Sequence, residues 1–168
     1  MPTRKAERQD HTAKLALMSI FLGAFMAFVA GTPARRRHAR RLDLPWSDWL
    51  LLVGSTFRLG RLVAFDKIFE PLRAPFTVTT LDETGAGQTV EPRGQGAQRA
   101  IGELISCPIC AGTWVSAGLV YLLHLFPGPA RLFMTIMSTI GIVEILNALT
   151  EHWSWLGQFA RKEAAPED

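Results

Sequence analysis

The chain has 168 residues, of which 48% are hydrophobic and only 20% charged, with a formal net charge of +3 and a mean hydropathy of +0.15. The charges are unevenly placed: residues 1–45 carry nine Lys/Arg against three Asp/Glu, and residues 46–168 carry nine against twelve. This pattern excludes an evenly charged soluble globule, and two cysteines exclude a disulfide-framed scaffold.

Four basic residues (Arg4, Lys5, Arg8, Lys14) lead into an uncharged run from Leu15 to Ala34. About 20 residues at 1.5 Å rise cross a hydrocarbon core roughly 30 Å thick, so Leu15–Gly31 is predicted to be a membrane anchor. The run is long for the apolar region of a signal peptide, and the arginines behind it resemble a stop-transfer flank, so the anchor is read as uncleaved. Basic residues beside such a helix fit anionic lipid headgroups, and no nucleic-acid partner is expected. Pro33 and Pro45 bracket five arginines, closing a first unit at residues 1–45.

"WSDWLLLVGSTFRLGRLVAFDKIFE", residues 46–70, predicts a helix with Ser47 as N-cap that ends before Pro71. Arg58 and Arg61 fall three apart on one face, so this segment either spans with its arginines reaching one surface or lies in the interface. Residues 71–101 read as a loop in which Phe76–Leu81 pairs with Gln88–Glu91 in a small hairpin. A third membrane segment is expected over Leu104–Phe126. "PGPAR" then makes a reversal, and a fourth segment runs Leu132–Thr150, holding Glu144 as its one charge. "EHWSW" supplies interfacial aromatics, and residues 158–168 form a charged, frayed tail.

The fold class expected is all-α: a helical integral membrane protein of three or four membrane segments, its membrane domain at 46–157. Counting Lys/Arg gives 12 against 6 if all four segments span with the N-terminus inside. It gives 13 against 5 if the second lies in the interface with the N-terminus outside. The positive-inside rule does not separate the two schemes. Both place residues 66–103 and the C-terminus on the cytoplasmic side of the inner membrane.

Cys107 and Cys110, in "GELISCPICAGTW", are the only cysteines. If Pro108 opens a helix, Cys107 caps it and Cys110 sits one turn in, at the positive end of the dipole, where thiol pKa values fall. That is the logic of a thiol-disulfide pair, although the βαβ setting of such sites is missing and Glu103 opposes a thiolate. Two thiolates are half of a structural zinc site, so zinc is possible only if a dimer or partner completes it. The preferred reading is packing: small residues beside Gly112, Ser116 and Gly118 let helices approach closely.

Glu144 lies deep in the last segment, where a carboxylate costs about 2.5–3.5 kcal/mol on insertion scales, so it should face protein or water and not lipid. Arg58 or Arg61 are its natural partners, and a structural ion pair is preferred over a proton path. No phosphate-binding loop, G-x-S-x-G, H-E-x-x-H or paired-carboxylate arrangement is present, and no catalytic residue is assigned.

Three ordered blocks carry a resemblance: Arg58, Arg61 and Asp66; Leu72, Arg73, Pro75 and Phe76; and Gly102 to Trp114. Across about residues 47–150 the chain resembles the bacterial membrane family catalogued as domain of unknown function 1360, whose Bacillus members are associated with sporulation. The resemblance implies a compact helical membrane bundle without a known reaction. It also implies that Arg58, Arg61, Asp66, Glu103 and the cysteines gather at one membrane face. The expected function is a non-catalytic structural or accessory subunit with lipid and either a protein partner or further copies of itself around it. The alternatives are thiol-disulfide or metal chemistry at Cys107 and Cys110, and a holin-like pore.

Overall fold

The computed structural model describes residues 4–31, 44–81 and 88–163; the arginine cluster, the hairpin turn and the last five residues fall outside. In chain order come α1 (Arg4–Gly31), α2 (Trp46–Phe65), a 3₁₀ turn (Lys67–Phe69), α3 (Glu70–Arg73), β1 (Thr77–Leu81), β2 (Gln88–Pro92), α4 (Ala97–Ser106), α5 (Pro108–Leu125) and α6 (Pro127–Glu163). The described residues are thus predominantly helical, with one antiparallel hairpin.

Three of the helical stretches, Arg8–Gly31, Pro108–Leu125 and Pro127–Gln158, are long and apolar enough to cross a membrane. On α6, Leu132, Ile136, Val143 and Leu146 stay 49–67% exposed. An apolar outer face of that extent has no counterpart on an ordinary soluble monomer.

α2, α5 and α6 form the central bundle around Leu52, Leu119, Leu123, Ala130 and Met134. α5 runs antiparallel to α2, with Gly60 against Pro108 and Gly112 at one end and Leu52 with Leu119 toward the other. α6 runs parallel to α2: Asp48 meets Arg131, the Ser55 hydroxyl donates to the Met134 carbonyl at 2.8 Å, and Arg61 meets Glu144. α2 therefore lies lengthwise in the bundle and does not cross it. α1 lies alongside α5 and parallel to it, with Phe21 edge-on to Trp114 at 5.0 Å and Phe28 stacked on Tyr121 at 4.2 Å. The start of α1, the end of α2, the hairpin, α4 and the part of α6 beyond Glu144 consequently lie at one end of the bundle.

Several boundaries differ from the sequence reading, each for an identifiable reason. α2 ends at Phe65, not Glu70, because Asp66 is extended (φ −70°, ψ 140°) and Arg73 takes over the free carbonyls of the helix end. Arg73 donates to Val63, Phe65 and Asp66 carbonyl oxygens at 3.3, 3.3 and 3.0 Å, a favourable place for a cation. Pro71 then sits in the first turn of α3 and terminates nothing, since the first N–H groups of a helix have no intrahelical partner. The N-cap of α2 is Pro45, with no side-chain cap, so Ser47 does not serve.

The segment expected over Leu104–Phe126 is split at Cys107, which is extended (φ −100°, ψ 110°) because the residue before a proline avoids the helical region. Leu104 to Ser106 belong to α4. The reversal expected over "PGPAR" is confined to Phe126, since Pro127 and Pro129 both fit the first turn of α6. α6 continues well past Thr150 to Glu163, where a frayed tail was expected. The hairpin pairs Thr77–Leu81 with Gln88–Pro92, Val78 opposite Glu91 and Thr79 opposite Val90. A hairpin alone is marginal. Here α4 covers it: Gly102 packs on the Phe76 carbonyl and Pro92, and Gln98 Nε2 donates to the Pro75 carbonyl at 2.7 Å.

Candidate functional site

Among the described residues the ion pairs fall into three clusters. The first joins α2 to α6. Arg61 Nε donates to Glu144 Oε1 at 2.6 Å, Arg58 Nη1 reaches Glu144 Oε2 at 3.5 Å, and Arg58 Nη2 pairs with Asp66. Two cations thus face two carboxylates. What allows the approach is the absence of side chains one turn away: a Cβ on Gly141 would stand 2.9 Å from the Gly54 carbonyl and 3.2 Å from Arg58 Cβ, and a Cβ on Gly54 would collide with Ser138. Gly141 and Glu144 are three apart, Gly54 and Arg58 four apart, so each glycine shares a face with the charge it helps to position. The Arg61 guanidinium carbon also lies 5.8 and 5.6 Å from the ring centroids of Phe57 and Phe65, one turn to either side.

The second cluster joins α1 to α4. Lys14 Nζ is 2.5 Å from Glu103 Oε2, Arg99 Nε is 3.1 Å from Glu103 Oε1 and 3.7 Å from Asp10 Oδ2, and Asp10 Oδ1 accepts from the Gly96 N–H at 2.6 Å. Lys14 first, then Arg99, holds the Glu103 carboxyl below its usual range. Glu103 therefore shares an end of the bundle with Arg58, Arg61 and Asp66 but not a network; its position on α4 turns it toward α1.

The third cluster, at the opposite end, pairs Arg131 with Asp48 through two guanidinium nitrogens, at 3.0 Å from Nε and 2.8 Å from Nη2. Asp48 is only 3% exposed. Sequence reasoning missed this pair, Arg73 and the Gly54–Gly141 crossing. The sequence shows an acidic residue in the first turn of one helix and a basic one near the start of another, but not that the two helix starts coincide.

Cys107 and Cys110 are both free thiols. Cys107 is half-buried and caps α5, its sulfur accepting from the Cys110 N–H at 3.3 Å. Hydrogen bonds from the Cys110 thiol and then its N–H pull the Cys107 thiol below its ordinary value. Cys110 is exposed beside a shallow cavity of about 600 Å³ that Lys14, Glu103 and Trp114 also line. Among the described residues no group of three or more His, Cys, Asp or Glu could hold a metal ion, so zinc on this pair would need ligands from elsewhere.

Of the residues assigned to packing, Gly112 is buried against Thr56 and faces Gly60, and a Cβ on Gly60 would stand 2.6 Å from the Pro108 carbonyl. Ser116 is half-buried on a groove wall. Gly118 is exposed, with open space where a Cβ would be. Six residues from Gly112 is a rotation of about 240° on a 3.6-residue helix, which turns it off the packed face.

The cluster of Arg58, Arg61, Asp66 and Glu144 lies wholly within a segment shared with other proteins, whereas Asp10, Lys14 and Asp48 of the other two lie outside it. The Sporulation protein YjcA of Bacillus subtilis (strain 168) is 32% identical over 108 residues, covering 62% of this chain and 91% of that protein. No solved structure matches the chain. The family described as Protein of unknown function (DUF1360) matches residues 51–150, which hold Arg58, Arg61, Asp66, Cys107, Cys110 and Glu144 but leave α1 outside, and the chain belongs to that family.

Proposed function

We propose that the chain is a multi-pass protein of the cytoplasmic membrane that acts as a non-catalytic structural or accessory component of a membrane assembly. The observation that carries this reading is the direction of its charges. Arg58, Arg61, Asp66 and Glu144 close on one another, two positive against two negative, while the outer face of α6 is mainly apolar from Leu132 to Leu149. A charge-balanced cluster fixes how helices meet and leaves no carboxylate waiting for a proton or ion. Four segments then cross, α2 included, with 12 Lys/Arg at the hairpin end against 6 at the other. That count favours the hairpin and the end of α6 on the cytoplasmic side. The partner is a neighbouring membrane protein or a second copy. Alkaline carbonate extraction followed by co-purification in mild detergent is the test: the chain stays with the membrane pellet and brings a stoichiometric partner with it. Release into the supernatant refutes the membrane reading, and a lone monomer refutes the accessory role.

The cysteines support a second reading, a thiol-disulfide function, because Cys107 caps α5 with its thiol held below the ordinary range. Under it, Cys107 alkylates faster at pH 7 than a free cysteine of pKa about 8.5, and the pair changes redox state in cells. Ordinary alkylation rates and a silent Cys107→Ser change remove this reading.

A further inference from the structure

Between α1, α2 and α5 runs an open groove of about 870 Å³ that meets the first polar cluster at Arg61. Phe21 and Phe25 form one wall, Val53 and Phe57 the second, and Ala117 and Tyr121 the third, so almost all of the lining is apolar. From Ile109 to Tyr121 it follows α5 for 12 residues, about 18 Å at 1.5 Å per residue, slightly more than one leaflet of a 30 Å core.

One cation stands in this lining, Arg61, at the hairpin end. Arg61 gives only Nε to Glu144. Its two terminal amino groups meet no acceptor among the described residues, and the side chain is 43% exposed. A guanidinium with four unspent N–H donors is suited to a phosphate, which it can bind through two parallel hydrogen bonds. Deeper in the same lining, Thr56 Oγ1 is buried and has no partner among the described residues. It lies five residues, about 7.5 Å, below Arg61 along α2, where glycerol esters follow a phosphate.

We infer that this groove holds one anionic phospholipid, its phosphate on the Arg61 terminal nitrogens, a glycerol ester accepting from the Thr56 hydroxyl, and an acyl chain lying along Phe57, Val53 and Ala117 toward Tyr121. The inference rests on the membrane reading above. The occupant is a lipid and not a free anion because most of the lining is apolar, and anionic because the group at the mouth is a cation with spare donors. α1, outside the family match, supplies the wall that turns a face of the α2–α5 pair into a groove.

The test is native mass spectrometry of the full chain released from vesicles of equal parts phosphatidylglycerol and phosphatidylcholine with identical acyl chains. Expected is one retained lipid per chain, with phosphatidylglycerol favoured about tenfold: both headgroups offer a phosphate, but the choline of the second places a further cation beside Arg61. Arg61→Gln abolishes the preference, while Arg61→Lys keeps part of it. Ala117→Phe, which fills the groove and leaves the ion pairs intact, abolishes retention of either lipid. Equal retention of the two lipids by the unaltered chain overturns the inference, as does a preference that survives Arg61→Gln or retention that survives Ala117→Phe. Loss of the preference in millimolar inorganic phosphate with the acyl chain still bound also overturns it, because the headgroup then contributes only as a free anion would. A chain that resists carbonate extraction yet shows no preference refutes this inference alone; a chain that is extracted refutes the membrane reading itself.

Discussion

Glu144→Gln is the substitution that bears most directly on how the bundle is held. Glu144 serves two arginines, and its side chain is 30% exposed against 16% for Arg58 and 43% for Arg61. The glutamine keeps the shape and can still accept from Arg61 Nε, so what is lost is charge. Removing one partner of a fully buried pair costs about 3–5 kcal/mol, whereas an exposed pair is worth less than about 1. The partial exposure places this site between them, at about 2 kcal/mol, roughly thirtyfold in the unfolding equilibrium. Arg58 keeps Asp66, so the loss falls mainly on Arg61, and the double substitution with Arg61→Gln should recover about 1 kcal/mol of the summed single effects. The assay is equilibrium unfolding of the purified chain in mixed micelles, followed by tryptophan fluorescence, for the four members of the cycle. A Glu144→Gln effect below about 0.5 kcal/mol, or strictly additive single substitutions, would refute the claim that this cluster locks α2 to α6.

Three further outcomes follow from the geometry. Gly54→Leu or Gly141→Leu forces α2 and α6 apart and destabilises by about 2–4 kcal/mol in the same unfolding assay, while Gly118→Leu, on an open face, changes stability by less than about 0.5. Asp48→Asn weakens the bidentate contact with Arg131 at the far end and costs about 1–2 kcal/mol, additive with Glu144→Gln because the two sites share no partner. Glu103 is held below its ordinary carboxyl value by Lys14 and then Arg99, so its contribution is complete above that ordinary value and is lost as pH falls through the lower folded value. Hydrogen exchange of the α4 amides should accordingly quicken only in that acidic window, and Glu103→Gln should remove the pH dependence.

The sequence carried the helical class, the long apolar stretches and the family, because uncharged runs of membrane length and three ordered motif blocks are local signals. It carried less of the breaks. The halt at Cys107 was readable in Pro108, whereas the early end of α2 was not, since it depends on Arg73 folding back onto Val63, Phe65 and Asp66. Glu144 could be matched with Arg58 or Arg61 from the cost of an isolated charge in hydrocarbon. The Gly54–Gly141 crossing that sets their distance could not, because it requires knowing that α2 and α6 run parallel. Glu103 lies at the same end of the bundle as Arg58 and Arg61, but its pairing with Lys14 and Arg99 was not readable, because nothing local says which neighbour α4 turns toward. Asp48 and Arg131 are 83 residues apart and became partners only once the ends of two helices were known to coincide.

The parallel run of α2 and α6 sets an order on biogenesis. Glu144 leaves the ribosome more than eighty residues after Arg61, by which time α2, the hairpin and α5 have already been made. During that interval Asp66 is the one carboxylate, among the described residues, that pairs with Arg58 or Arg61, so α2 on its own is poorly suited to hydrocarbon. On the four-span reading proposed above, its commitment to the bilayer waits for the last helix. Truncation before α6 should therefore leave α2 loosely held at the translocon or the headgroup layer, an immature form for quality-control proteases to recognise.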